Sequence, residues 1–298
     1  MTKAEVVPAA RWPIKATRWW ARISDYQVLN GDTAPEVPIH NLAVVMRVTL
    51  ANLVSAHADG IGLVDYLTMA RSEAYSEYRV LAAQLRTFHP GSLQTDGERK
   101  AFWINLYNAL ILDAVVAMRL SGAPAGGWFE RAAYNVGGYR FSANDIEHGV
   151  LRANRWHLLA AGPQFGRGDP RRAWSVSALD PRVHFALNCA ARSCPPIRAY
   201  SAERLDEQLH LAAFSFLNGG QLTLDRDTMR LGLSRMFQYY GHDFGAGPFA
   251  LWGHARLVQF AAPFAADTED RAFLTEHAKQ LRVEFLPYDW SLNAYDPG

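Results

Sequence analysis

The sequence predicts an α+β fold, mostly helical with a small mixed or antiparallel sheet. Apolar residues recur at helical spacing over residues 40–57, 74–88 and, at greatest length, GERKAFWINLYNALILDAVVAMRL. Two stretches, YNVGGYRF and QLTLDRDTMRLGLS, alternate apolar and polar residues around a tight turn. The strand-like runs are short and do not alternate regularly with helices, which argues against a doubly wound sheet.

Thr95-Asp96 offers a cap for the long helix, and Ser-Gly-Ala-Pro at 121–124 ends it. Gly137-Gly138 is the turn of the first hairpin. Ser142 with Asp145 has capping-box spacing for a helix through DIEHGVLR. Asp180-Pro181 precedes RVHFALNC, an apolar run of strand length. Ser201 caps a helix ending at Asn218-Gly219-Gly220, and the second hairpin follows. Ser234 starts a short helix, SRMFQYY. Two more helices, near 248–261 and 268–280, lead to a final strand, VEFLPYDW. The aromatic tail LPYDWSLN is expected to pack back onto the body. No repeat or linker interrupts the chain, so residues 1–79 read as a helical extension packed on a core of 80–298.

At 298 residues with 49% hydrophobic and 12% aromatic content, the chain can bury a substantial core. A net charge of +1 gives no global attraction to nucleic acid or to an anionic membrane. The proline- and arginine-broken N-terminus lacks the apolar run of a signal peptide, and a cytoplasmic location is expected. Two cysteines are too few to staple a fold of this size. From Arg140 to Arg204, ten arginines face five acids, so positive charge collects where an anionic ligand could be held.

Both cysteines lie in HFALNCAARSCPPI. As a strand, His184 and Asn188 share one face and Cys189 the other, while Cys194 falls in a turn near Arg192. Four readings stay open: a redox dithiol, a zinc site of His184, Cys189 and Cys194 with His148 or His157, a histidine-assisted nucleophile, or structural thiols. Asn105 and Asn108, three apart on an apolar helix, either tie it to a neighbouring backbone or orient a ligand. In DIEHGVLR, Asp145, His148 and Arg152 form either a base with its orienting carboxylate or a salt-bridged surface helix. QFGRGDPRRAW resembles an anion-binding loop without Walker spacing.

AFWINLYNALIL, DIEHGVLR, HFALNCAARSCPPIRAY and YDWSLN, in that order, resemble the domain-of-unknown-function 547 family from about residue 80 to the C-terminus. That resemblance implies a shared fold more than an activity. Its bacterial members often look exported, unlike this chain, and its plant members carry a coiled coil that this chain lacks. A long helix followed by a histidine-bearing strand is also similar to papain and transglutaminase folds, in which a nucleophilic cysteine opens the helix. Here Asn105 or Asn108 stands in that region, so the analogous chemistry requires Cys194 or Cys189 beside His184.

The reading that follows is a cysteine-dependent hydrolase or acyl/amide transferase for a small anionic or peptide-like substrate. Cys194, with Cys189 second, is the nucleophile, and His184 or His148 the base. Asn105 and Asn108 are orienting or oxyanion-side amides, and Arg152, Arg182, Asn188 and Arg192 bind substrate. No cofactor, metal, nucleic-acid or membrane partner is expected. The alternatives are a non-catalytic binding or scaffold domain and a zinc-dependent hydrolase.

Overall fold

The computed structural model describes residues 26–31, 39, 41–124, 127–157 and 162–295. The N-terminal stretch on which the leaderless expectation rests lies outside them. The chain forms two compact units. The first comprises the described part of Met1–Asp180 with Leu187–Leu205 and Trp290–Gly298; the second comprises Pro181–Ala186 with Asp206–Asp289.

In the first unit, helices α1 (Leu42–His57), α2 (Tyr66–Met69), α3 (Glu73–Gln84), α4 (Asp96–Ala117) and α5 (Trp128–Arg131) accompany a three-stranded mixed sheet. Strand β1 (Gln27–Val28) runs parallel to β2 (Ala132–Val136), which pairs antiparallel with β3 (Tyr139–Ser142). A small antiparallel pair, β4 (Trp156–His157) and β5 (Gly162–Pro163), lies further along.

Helix α4 is the spine of this unit. The Glu98 N–H donates to Thr95 Oγ1 at 3.1 Å, and the Thr95 N–H donates to Glu98 Oε2 at 2.8 Å, which closes the capping box. Every residue from Ala101 to Val115 is buried. By length and composition α4 could cross a membrane, but 83% of its most apolar window is buried inside the protein, as befits a core helix. Trp103 packs on Phe141 of β3, ring centroids 4.6 Å apart. The hairpin turns where the sequence placed it. Gly137 and Gly138 have φ of 59° and 85°, and a Cβ on Gly137 would come within 2.6 Å of the Phe88 carbonyl oxygen.

The second unit holds α6 (Leu205–Phe216) from its second residue onward, β6 (Leu222–Asp225), β7 (Arg230–Leu233), α7 (Met236–Tyr239), α8 (His254–Ala261), α9 (Thr268–Glu276) and β8 (Arg282–Phe285). Strand β7 pairs antiparallel with β6 and parallel with β8. Phe185, Phe216, Phe237, Phe244 and Phe264 are buried in its core, where aromatic rings pack at tilted angles.

Two expectations are corrected. RVHFALNC is not a strand: Pro181–Phe185 forms a 3-10 turn, and Ala186 N–H donates to Val183 O at 2.9 Å. Val183 to Asn188 are all buried, so alternation carried no signal, and Pro181 presets the backbone for a turn. DIEHGVLR is helical but winds as a π-helix, Asp145–Leu151, with every residue buried. Gly149 is required there, because a Cβ would lie 2.2 Å from the Phe165 ring.

Candidate active site: the cysteine loop

Residues 188–195 form a loop beside α4, and asparagine side chains hold it. Asn108, fully buried on α4, accepts the Asn188 N–H at 2.9 Å. The Asn188 amide then clamps the loop on itself: Nδ2 donates to Pro195 O at 2.7 Å, and Oδ1 accepts the Ala190 N–H at 2.8 Å. Ala190, between the cysteines, is held at φ 64°, a left-handed conformation that costs a non-glycine residue roughly 1–2 kcal/mol. Backbone strain of this kind persists only where surrounding bonds over-determine it.

The C-terminal segment supplies the third clamp, as its aromatic composition suggested. Asn293 N–H donates to Ala190 O at 2.9 Å, its Nδ2 donates to Gly62 O at 2.8 Å, and its Oδ1 accepts the Tyr66 hydroxyl at 2.7 Å. Arg192 N–H donates to Ser291 O at 2.9 Å. Within the loop, Cys194 N–H donates to Ala191 O, and the Cys189 N–H points at Cys194 Sγ, 3.1 Å away. Neither cysteine is in a disulfide; Cys194 is buried and Cys189 half-buried. Burial first, and then the adjacent Cys194 and Cys189, push the Tyr66 phenol well above its ordinary range. The phenol therefore stays a protonated hydrogen-bond donor next to both sulfurs.

The other expected site residues fall in different places. Asn105 mimics a backbone partner: Nδ2 donates to Tyr200 O at 2.7 Å and Oδ1 accepts the Tyr200 N–H at 2.8 Å. It is a structural tie, not an oxyanion donor. Asn105→Ala should therefore lower stability by about 2 kcal/mol through two orphaned backbone groups, as read by urea unfolding; a change below about 0.5 kcal/mol would remove this assignment.

His148 Nδ1 lies 3.1 Å from Arg152 Nη1, with both side chains buried. A guanidinium only donates, so Nδ1 accepts and the imidazole proton sits on Nε2. Asp145 does not orient His148. It is enclosed by Arg171 at 3.1 Å and Arg140 at 3.3 Å, and the carboxylate near His148 is Glu147 at 3.9 Å. The surface-helix alternative is also excluded, because these groups are buried. Arg171 of the suspected anion loop is thereby occupied by Asp145 and Asp169.

His184 belongs to the second unit, while the cysteines belong to the first. Its Nε2 bonds Asp243 Oδ2 at 2.9 Å, and its ring stacks on Tyr240 with centroids 3.9 Å apart. Arg182, in the same unit, pairs with Asp206 at 2.7 Å. Among the described residues no group of three or more His, Cys, Asp or Glu could hold a metal ion. The side chain of His157, one suggested zinc ligand, lies outside them.

Sequence reasoning missed Tyr66, whose YLTM context reads as ordinary core. It also missed Asp113, a lone acid in the apolar face of α4 and a signal that could have been noticed. Arg79 donates to both Asp113 oxygens at 3.0 Å; the Tyr75 and Tyr134 hydroxyls donate at 2.6 and 2.8 Å.

Fold and site together define an α+β protein with a thiol-bearing loop clamped by asparagines against its longest helix. Residues 91–217, which contain α4, the π-helix and the cysteine loop, match the family model described as Protein of unknown function, DUF547, the family that the sequence motifs resemble. The closing YDWSLN motif lies beyond the matched span. No curated protein and no solved structure matches the chain.

Proposed function

We propose that the protein is a cysteine-dependent hydrolase or acyl/amide transferase acting on a small anionic or peptide-like substrate, with Cys194 as nucleophile. The supporting observation is the Cys189 N–H aimed at Cys194 Sγ in a loop fixed by Asn108, Asn188 and Asn293. A fixed N–H donor favours negative charge on the atom it faces, and the thiolate is the reactive form of cysteine. Asn108 and Asn188 act through the loop as positioning residues. Arg192, exposed on the same loop, offers charge to an anionic substrate. His148 enters as a neutral Nε2–H donor, not as the base. The papain/transglutaminase analogy draws support only from the order of a long core helix followed by a hairpin, since its histidine-bearing strand is a 3-10 turn. The expectation of no nucleic-acid or anionic-membrane partner belongs to the same reading and rests on the net charge of +1.

Iodoacetamide labelling at neutral pH tests the proposal. One thiol of the native protein should react about tenfold faster than a free-thiol reference, and Cys194→Ser should remove that fast phase. The rival reading, a non-catalytic binding domain, is favoured by the commitment of Asn105 and Asn188 to backbone partners. Slow labelling of both thiols would select the rival.

A further inference from the structure

The geometry points to Cys189 and Cys194 as a peroxide-responsive dithiol that closes to a reversible disulfide across the Ala190–Ser193 turn. Three observations converge. Cys194 Sγ lies 3.1 Å from the backbone nitrogen of Cys189, so rotation about the Cys189 Cα–Cβ bond sweeps the second sulfur through the neighbourhood of the first. The Tyr66 phenol, raised first by burial and then by both thiols, has the two cysteines in its surroundings. The loop between them is folded back by the Cys194–Ala191 bond and by the Asn188 clamp onto Pro195, so its ends are held together before any bond forms. Disulfides need α-carbons within roughly 4.4–6.8 Å, and a short, clamped turn supplies such proximity where an open loop would not.

The more accessible sulfur, Cys189, reacts first. Its thiolate attacks one oxygen of hydrogen peroxide and the O–O bond breaks; the departing hydroxide takes a proton and leaves as water, with Cys189 now a sulfenic acid. The Cys194 sulfur then attacks the Cys189 sulfur, the S–O bond breaks, and the hydroxyl takes the Cys194 proton and leaves as a second water. Two thiols have been oxidised by two electrons, and one peroxide has been reduced. The ring so closed is small and includes Ala190 at φ 64°, so it gains little from loop entropy and reopens readily with a thiol reductant. The disulfide stands on this geometry; its consequence, a shut-off nucleophile shielded from irreversible oxidation, rests on the proposed role of Cys194.

Treatment of the full-length reduced protein with a slight excess of hydrogen peroxide, then iodoacetamide and intact-mass analysis, decides the matter. The expected product has lost two hydrogens, takes up no label, and recovers both thiols with dithiothreitol. In Cys194→Ser the reaction should stop at a dimedone-trappable sulfenic acid on Cys189, and in Cys189→Ser no disulfide should appear. Wild-type protein that keeps two alkylatable thiols, or that passes to sulfinic acid at Cys189 without a disulfide, overturns the inference. Fast alkylation of reduced Cys194 with no disulfide defeats only the dithiol. A disulfide with slow alkylation of reduced Cys194 defeats only the nucleophile and leaves the dithiol supported.

Discussion

Asp145→Ala should destabilise the first unit by about 3–5 kcal/mol, a large share of the 5–15 kcal/mol typical of a folded domain. The carboxylate is fully buried and receives four donors. Arg171 and Arg140 reach Oδ2 at 3.1 and 3.3 Å, Ser142 N–H reaches the same oxygen at 3.0 Å, and Gln164 Nε2 reaches Oδ1 at 2.9 Å. Alanine would leave the buried Arg171 with Asp169 as its carboxylate partner and the Arg140 carbonyl as a neutral acceptor. Burial alone would raise the Asp145 pKa, but the two guanidiniums and the hydrogen bonds outweigh it and hold the group at about 2. The folded value is depressed below an unfolded value of about 3.9, so the contribution is complete above about pH 4 and is lost as pH falls through about 2. A gap of this size corresponds to about 2–3 kcal/mol. Urea midpoints at pH 7 and pH 2.5 should therefore converge between wild type and Asp145→Asn. Curves that stay parallel across that window would show that the carboxylate charge is not the source of the stability.

Asp113→Asn should cost about 2–4 kcal/mol, slightly less because Arg79 is one-quarter exposed and can recover water. The isosteric amide keeps the shape of α4 but turns one acceptor into a donor facing donors. Tyr75 and Tyr134 both give their protons to Asp113, and Tyr134 is bonded at 2.5 Å to Tyr78. Burial, and next the charge of Asp113, push the Tyr134 phenol far above its ordinary range, so the phenols cannot supply the lost negative charge. Arg79→Met, which removes the exposed partner, should be milder than Asp113→Asn in the same thermal melt. The reverse order would mean that the guanidinium, not the buried carboxylate, organises the network.

Much of the local structure was legible before any coordinates. The capping box at Thr95, the hairpins at Gly137-Gly138 and 226–229, and the packing back of the tail each follow from side-chain chemistry acting over a few residues. The burial of RVHFALNC erased the periodicity that separates strand from turn, so that segment was misassigned. Asn105 and Asn108 were recognisable as amides needing partners, but their difference was not. One bonds Tyr200, ninety-five positions away, and the other Asn188, eighty positions away. Asp145, His148 and Arg152 looked like one constellation by spacing; Arg171 and Arg140 arrive from elsewhere and claim the acid.

The chain therefore carries in its order of residues the helices, the hairpins and the identity of the thiol loop, because those depend on contacts between near neighbours. Which charges neutralise one another, and which amides clamp the sulfur-bearing turn, was decided by the tertiary structure. Desolvation makes every buried polar group seek a partner, and the partner is chosen by distance in space, which a linear spacing does not record.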